Sequence, residues 1–225
     1  ENSYRASNIA FINEWSILSE KLNINLNEII NAIKLRPTHS NIMSPGIGVG
    51  GYCLTKDPLL PKVSSQFIYK DKKLRFNFSE AAVKINNSMP TRSVKLIKTN
   101  VKKLEGKKVL LCGAAYKDEV DDTRNSPSLK FYKELKKFNT KITVHDPLVK
   151  YWKEAKIILT KKIPNFKLFD IIIFATKHRI YQSINFKKIY NKQVFFDLNN
   201  VLNQAQIKKI KYLNLKLFLI GKGFL

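Results

Sequence analysis

"KKVLLCGAAYKDEVDDTRNSPSLKFYKELKKF", Lys107 to Phe138, decides the fold class. It opens on an unbroken apolar run of strand length, crosses a polar loop, and turns amphipathic at Ser126. Ser126 suits a helix N-cap and Pro127 the first helical position. An apolar run without alternation is what a strand buried on both faces requires. "KITVHDP" (141–147), "IIIFATK" (171–177), "VFFDLNN" (194–200) and "KLFLIGKG" (216–223) repeat the strand signal. The order strand–helix–strand–linker–strand–helix–strand predicts an open, parallel α/β sheet of Rossmann-like type from Gly106 to the end.

Upstream of Gly106 the pattern is helical. Ile9, Ile12, Trp15, Leu18 and Leu22 recur every three or four residues and predict an apolar stripe. "LNINLNE" breaks it, and Asn25 with Glu28 has the form of a capping box before a second stripe that Arg36-Pro37 ends. Residues 37–58 are loop-like and 59–78 ambiguous. "SEAAVKINNSMPTRSVKLIKTNVKKLEG" (79–106) predicts a long helix or a pair kinked at Pro90, with Gly106 as the stop. The expected organisation is therefore a helical part, residues 1–105, and a Rossmann-like part, residues 106–225.

The formal net charge is +24, from 41 Lys+Arg against 17 Asp+Glu. A phosphate polymer would suit that charge. The basic residues are spread along the chain, however, without zinc-finger spacing, an RNA-binding aromatic signature or a basic arm, and compositional bias explains them without a specific nucleic-acid partner. The chain opens on polar Glu1-Asn2-Ser3-Tyr4-Arg5, without a signal-peptide pattern, and no apolar run approaches the roughly 20 residues of a membrane helix. Two cysteines make no disulfide framework and point to a reducing, cytoplasmic setting. The histidines lack metal-ligand spacing, so no metal is expected.

Chemistry concentrates in "PGIGVGGYCLTKDP", Pro45 to Pro58. Glycines before Cys53 allow a close approach to backbone. Lys56 would favour a thiolate and Asp57 would act on a proton or a water. Each feature also has an ordinary explanation. A lone cysteine packs as a small apolar residue, and Asp57-Pro58 is how a helix begins. Cys112, inside an apolar strand, reads as an inert buried thiol. The loop Gly113–Ser128 follows a strand and precedes a helix N-terminus, with Lys117 and Arg124 in it. An anion site and a capped polar loop both fit. It lacks Gly-x-Gly-x-x-Gly. Asp146, in "VHDP", has the position of a ribose contact, but a strand-ending turn suits it better.

Together, "ENSYRASNIAFINEW" (1–15), "PGIGVGGYCLTKDP" (45–58) and "AAYKDEVDDTRNSP" (114–127) resemble the UDP-glucose/GDP-mannose dehydrogenase family, the nucleotide-sugar 6-dehydrogenases. The resemblance spans the chain, with the motifs in family order. It implies a four-electron oxidation of a sugar C6 alcohol to a carboxylate with two NAD+. Cys53 would be the nucleophile, passing through a thiohemiacetal and a thioester. Asp57 would assist with water and protons, and Asn2 would hold the oxyanion. Gly48, Gly50, Gly51, Lys117 and Arg36 would serve the nucleotide sugar, with the glycines making room for it. Lys56 and Arg124 would serve the NAD side. The family pairs its central helices into a homodimer. Its NAD-binding Rossmann domain has no counterpart in these residues, so the resemblance implies that the chain alone is inactive. "ENSYRASNIAFINE" and "PGIGVGGYC" lean toward a UDP-N-acetylhexosamine substrate, and "CLTKD" toward UDP-glucose.

Overall fold

The computed structural model describes residues 1–186 and 192–225. The helical part comprises α1 (Asn2–Leu22), α2 (Leu26–Ile33), the one-turn α3 (Cys53–Lys56), α4 (Leu60–Phe67) and α5 (Asn77–Asn100). The sheet part comprises β1 (Lys108–Cys112), α6 (Pro127–Lys136), β2 (Lys141–His145), β3 (Tyr151–Trp152), β4 (Ile157–Ile158), β5 (Ile171–Phe174), α7 (Arg179–Gln182), β6 (Val194–Asp197), α8 (Gln204–Tyr212), β7 (Lys216–Leu219) and β8 (Gly223–Phe224). The strands run β2-β1-β5-β6-β7-β8, parallel except for β8, with β3 and β4 a separate antiparallel pair. This is the expected parallel sheet, with an antiparallel edge and a short hairpin that periodicity did not reveal.

Alternation along the buried strands sorts side chains between two cores. Val109, Leu111, Ile171, Ile173, Phe196 and Phe218 pack with Phe131 and Leu135 of α6 on one side. Leu110, Cys112, Ile172, Phe174, Phe195 and Leu217 pack with Tyr181 and Ile210 on the other. Cys112 is fully buried, and burial drives its thiol well above the usual range, as an inert core residue requires. Met89, Val94 and Ile97 of α5 belong to the first core, so the long helix fastens the helical part to the sheet. Ser126 caps α6 as expected, its side chain accepting the Ser128 N–H.

Three helical expectations change in whole or in part. Of the α1 stripe only Ile12 is buried; Trp15, Leu18 and Leu22 are 48%, 47% and 57% exposed. The buried face is instead Ala6, Ala10, Asn13, Ser16 and Ser19, small enough for α1 to lie close against α5. α5 is one helix that runs through Pro90 and ends at Asn100, before Gly106. Asn25 caps α2 by accepting the Asn27 N–H, but its amide meets the Glu28 carboxylate directly (2.6 Å), so the reciprocal box is not formed.

Candidate functional site

The strand order places a topological switch point between β1 and β5: the chain leaves β1 toward β2 on one side and returns at β5 on the other. The connections leaving such a pair diverge and open a crevice beyond the strand ends. Here the loop after β1 and the residues after β5 meet the glycine loop of the helical part around a cleft of about 530 Å³. Asn2, Gly48, Gly50, Gly51, Cys53, Lys117 and Arg124, drawn from three distant segments, all line it.

The glycine loop is fixed from both sides. The Asn13 side chain donates to Asn86 (3.0 Å) and accepts the Gly46 N–H (3.0 Å), while Asn86 donates to the Ala6 carbonyl. The Gly51 N–H donates to the Arg124 carbonyl (3.1 Å), and Asn125 Nδ2 donates to the Gly51 carbonyl (3.1 Å). The two motifs are thus hydrogen-bonded to each other. This changes what the glycines do. A Cβ on Gly50 would lie 2.6 Å from Tyr116 Cβ and 2.9 Å from the Asn125 carbonyl oxygen; on Gly51 (φ +80°) it would lie 2.9 Å from the Tyr116 ring. On Gly48 it would strike the Asn86 carbonyl at 2.9 Å. The space a side chain would need is filled by protein, so these glycines let the halves of the site close while they themselves line the cleft.

Cys53 is exposed at the start of α3. Asp57, four residues on, follows α3 and so lies on the same helical face. The Asp57 carboxylate does not cap the turn it begins. It accepts from Asn2 Nδ2 (2.7 Å) and from Lys56 Nζ (2.5 Å). Those bonds, Lys56 first and Asn2 second, hold it below the usual carboxylate range, and the bond to Asp57 raises Lys56 in turn. Lys56 also lies over the Tyr52 ring, 4.8 Å from its centre. Its charge is directed to Asp57 and it is not among the cleft-lining residues, nor is Asp57, which reaches the cleft through Asn2.

Lys117 lines the cleft, and Arg124 does so with its guanidinium bidentate on Asp122, which raises the arginine and lowers the aspartate. Arg36, expected on the substrate side, is exposed before the turn Pro37–His39 and does not line the cleft. Sequence reasoning missed Arg5, Tyr116, Lys177 and Asn199, which do. Lys177 and Asn199 follow β5 and β6, and the rule that ligands sit at the carboxyl ends of parallel strands was the available signal. With Arg5, Lys117, Arg124 and Lys177 against Asp118 among its lining, the cleft suits an anionic ligand.

A nicotinamide dinucleotide does not fit the turn after β1. The Ala114 and Ala115 N–H groups, which a pyrophosphate would need, both donate to Asp146 Oδ2 (2.8 and 3.1 Å). Asp146 Oδ1 accepts the Leu148 and Val149 N–H groups, which makes it the centre of a strand-ending turn. Among the described residues no cluster of His, Cys, Asp and Glu is arranged to hold a metal, and no helix is long and apolar enough to cross a membrane.

Residues 110–204 match the UDP binding domain of the UDP-glucose/GDP-mannose dehydrogenase family, and residues 1–88 match its central domain. A UDP-N-acetyl-D-mannosamine dehydrogenase of Pyrococcus horikoshii is 33% identical over 217 residues, which cover 92% of this chain and 48% of that protein. A solved UDP-D-ManNAc dehydrogenase structure from Pyrococcus horikoshii superposes with a TM-score of 0.75 at 31% identity, covering 99% of this chain and 50% of that one. An NDP-N-acetyl-D-galactosaminuronic acid dehydrogenase of Methanosarcina mazei Go1 shares the fold, with a TM-score of 0.83 at 24% identity, over 99% of this chain and 49% of that one. The chain spans about half the length of the curated relatives it matches.

Proposed function

The chain belongs to the UDP-glucose/GDP-mannose dehydrogenase family, and from that premise we propose that it carries the UDP-sugar site and the catalytic thiol of a nucleotide-sugar 6-dehydrogenase. The preferred substrate is a UDP-N-acetylhexosamine of the UDP-N-acetyl-D-mannosamine kind, because relatives carrying that name match it over most of its length. UDP-glucose comes second. The observation that carries the reading is the convergence of Asn2, Cys53, Lys117 and Arg124 on one electropositive cleft at the switch point.

NAD+, when bound outside this chain's own β1 turn and beside Arg124, would supply the hydride acceptor for two successive oxidations, four electrons in all. Cys53 Sγ adds to the C6 aldehyde, forming a C–S bond while the carbonyl oxygen takes a proton. Loss of hydride from C6, with the hydroxyl proton passing to water, leaves a thioester. Water adds to it, the C–S bond breaks, and the thiol leaves with the acid released. Asn2 Nδ2 has two hydrogens; one is on Asp57, and the other is assigned to the developing oxyanion. A carboxylate held low is a weak base. Asp57 therefore acts by orienting Asn2 and the attacking water more than by taking a full proton. Lys117 and Lys177 would meet the diphosphate, and Arg124 the dinucleotide side. The exposed thiol suits the cytoplasm, and the spread of charge gives no sequence-specific nucleic-acid partner.

Titration calorimetry of the chain tests this. UDP-N-acetyl-D-mannosamine is expected to bind, UDP-glucose more weakly, and NAD+ hardly at all. Tight NAD+ binding would overturn the division of roles, and silence with both UDP-sugars would overturn the function. A catalytically inactive binding or dimerisation unit predicts the same binding, and is separated only by turnover.

A homodimer through the central helices completes the proposal. α1 presents Phe11, Trp15, Leu18 and Leu22 outward, between 47% and 57% exposed, with the Phe11 and Trp15 rings 6.0 Å apart. A contiguous apolar face of this kind is normally covered. Light scattering at micromolar concentration is expected to give twice the 26.1 kDa chain mass; a monodisperse monomer would count against it.

A further inference from the structure

"ATKHR", Ala175 to Arg179, follows β5 with an alternation that packing alone does not require. Thr176 and His178 are 2% and 0% exposed, while Lys177 between them is exposed and lines the cleft. The two inward side chains make specific polar contacts with the loop after β1. Thr176 Oγ1 donates to the Ala115 carbonyl (2.8 Å). His178 Nδ1 accepts the Glu119 N–H (3.1 Å), so its Nε2 carries the hydrogen and donates to Asp146 Oδ2 (3.2 Å). That same oxygen accepts the Ala114 and Ala115 N–H groups. Glu119 completes the exchange, its carboxylate accepting the Arg179 N–H (2.8 Å).

The loop 114–119 is thus tied at both ends, and its middle residues, Tyr116, Lys117 and Asp118, are the ones lining the cleft. Its last residue, Glu119, has φ +55°, a conformation that surrounding bonds must hold in a residue other than glycine. We infer that His178 is a positioning residue for the UDP-sugar site: one fully buried ring spans both ends of the loop and sets where Tyr116 and Lys117 meet the ligand. This rests on the UDP-sugar reading above. A site side chain is only as well placed as the shell that supports it.

Two substitutions divide the ring's tasks. His178→Gln can return an amide N–H to the place of Nε2 and keep the Asp146 bond; His178→Asn can return an oxygen to the place of Nδ1 and keep the Glu119 bond. Hydrogen exchange of the 114, 115 and 119 amides is followed in the 225-residue chain, with UDP-N-acetyl-D-mannosamine titrated into each variant. The Glu119 amide is expected to exchange about tenfold faster in His178→Gln only, and the Ala114 and Ala115 amides in His178→Asn only. Affinity should fall about tenfold in both, the effect of one lost hydrogen bond. A folded variant that binds as tightly as the unmodified chain, or an exchange pattern identical in both, overturns the inference. Should neither fold, Glu119→Ala removes the Arg179 tie from an exposed side chain, with affinity expected to fall about threefold; unchanged affinity there overturns it equally. If the unmodified chain binds no UDP-sugar, the proposed function is what fails, and the exchange pattern still decides whether His178 holds the loop.

Discussion

In a dehydrogenase containing this chain, Cys53→Ser is expected to cut acid formation by about 10⁴-fold or more while leaving the melting temperature unchanged. The size follows from what the proposed step demands. A nucleophile that forms the covalent intermediate is not replaced by neighbouring groups, and losses on this order accompany its removal in other covalent enzymes. Serine is the closest replacement in shape, but its hydroxyl is not ionised by its surroundings as a thiol can be, and the ester it would form is less reactive than a thioester. The unchanged stability follows from exposure: Cys53 lies open at the start of α3 and belongs to no core cluster. Surface substitutions away from special contacts stay within about 0.5 kcal/mol. The measurement is NADH released per folded active site, with thermal melting in parallel. Undiminished turnover in Cys53→Ser would remove the thiol from the mechanism, and a large loss of stability would return Cys53 to the packing role that its residue type alone suggests.

The strands were legible because a strand buried on both faces has to be continuously apolar, and Ile171–Phe174 and Val109–Cys112 are. The buried face of α1 was not. Helical periodicity located a stripe through Trp15 and Leu18, but which face meets a neighbour depends on what the neighbour offers. α5 offers Ala82, Asn86 and Ser93, and against these the small residues of α1 close in, with Asn13 donating to Asn86 and Asn86 donating to the Ala6 carbonyl. The cleft was legible in part for the same reason. Cys53 and its glycines sit in one short stretch, so their relation is local. Lys177 and Asn199 reach the cleft only because β5 crosses to the far side of β1, a consequence of strand order that local spacing does not encode. The glycines carried a true signal with an incomplete meaning: close approach was required, and the approaching atoms belong to Tyr116 and Asn125.

Asp146→Asn is expected to lower the melting temperature of the chain by about 6–12 °C near neutral pH. The carboxylate is buried and accepts N–H groups from Ala114, Ala115, Leu148 and Val149 as well as the His178 ring. Asparagine keeps one acceptor oxygen and turns an NH₂ toward donors that need an acceptor. Leaving buried donors unpaired costs about 3 kcal/mol in all, and a domain of this size loses roughly 2–4 °C per kcal/mol. The pH dependence has a definite sign. Burial alone would raise Asp146, but His178 and the Ala114 N–H outweigh it and bring the group from 3.8 down to about 2. A folded-state value below the unfolded one stabilises where the unfolded chain is ionised, here by about 2 kcal/mol. That contribution is complete above about pH 5 and is lost as pH falls toward 2. Asp146→Asn lacks it at every pH. The gap in melting temperature between the two proteins should therefore narrow between pH 6 and pH 3, with every carboxylate they share cancelling in the difference. A gap that stays constant over that range would mean that the Asp146 charge adds nothing to holding the loop, and that the oxygen alone, which asparagine also has, is sufficient.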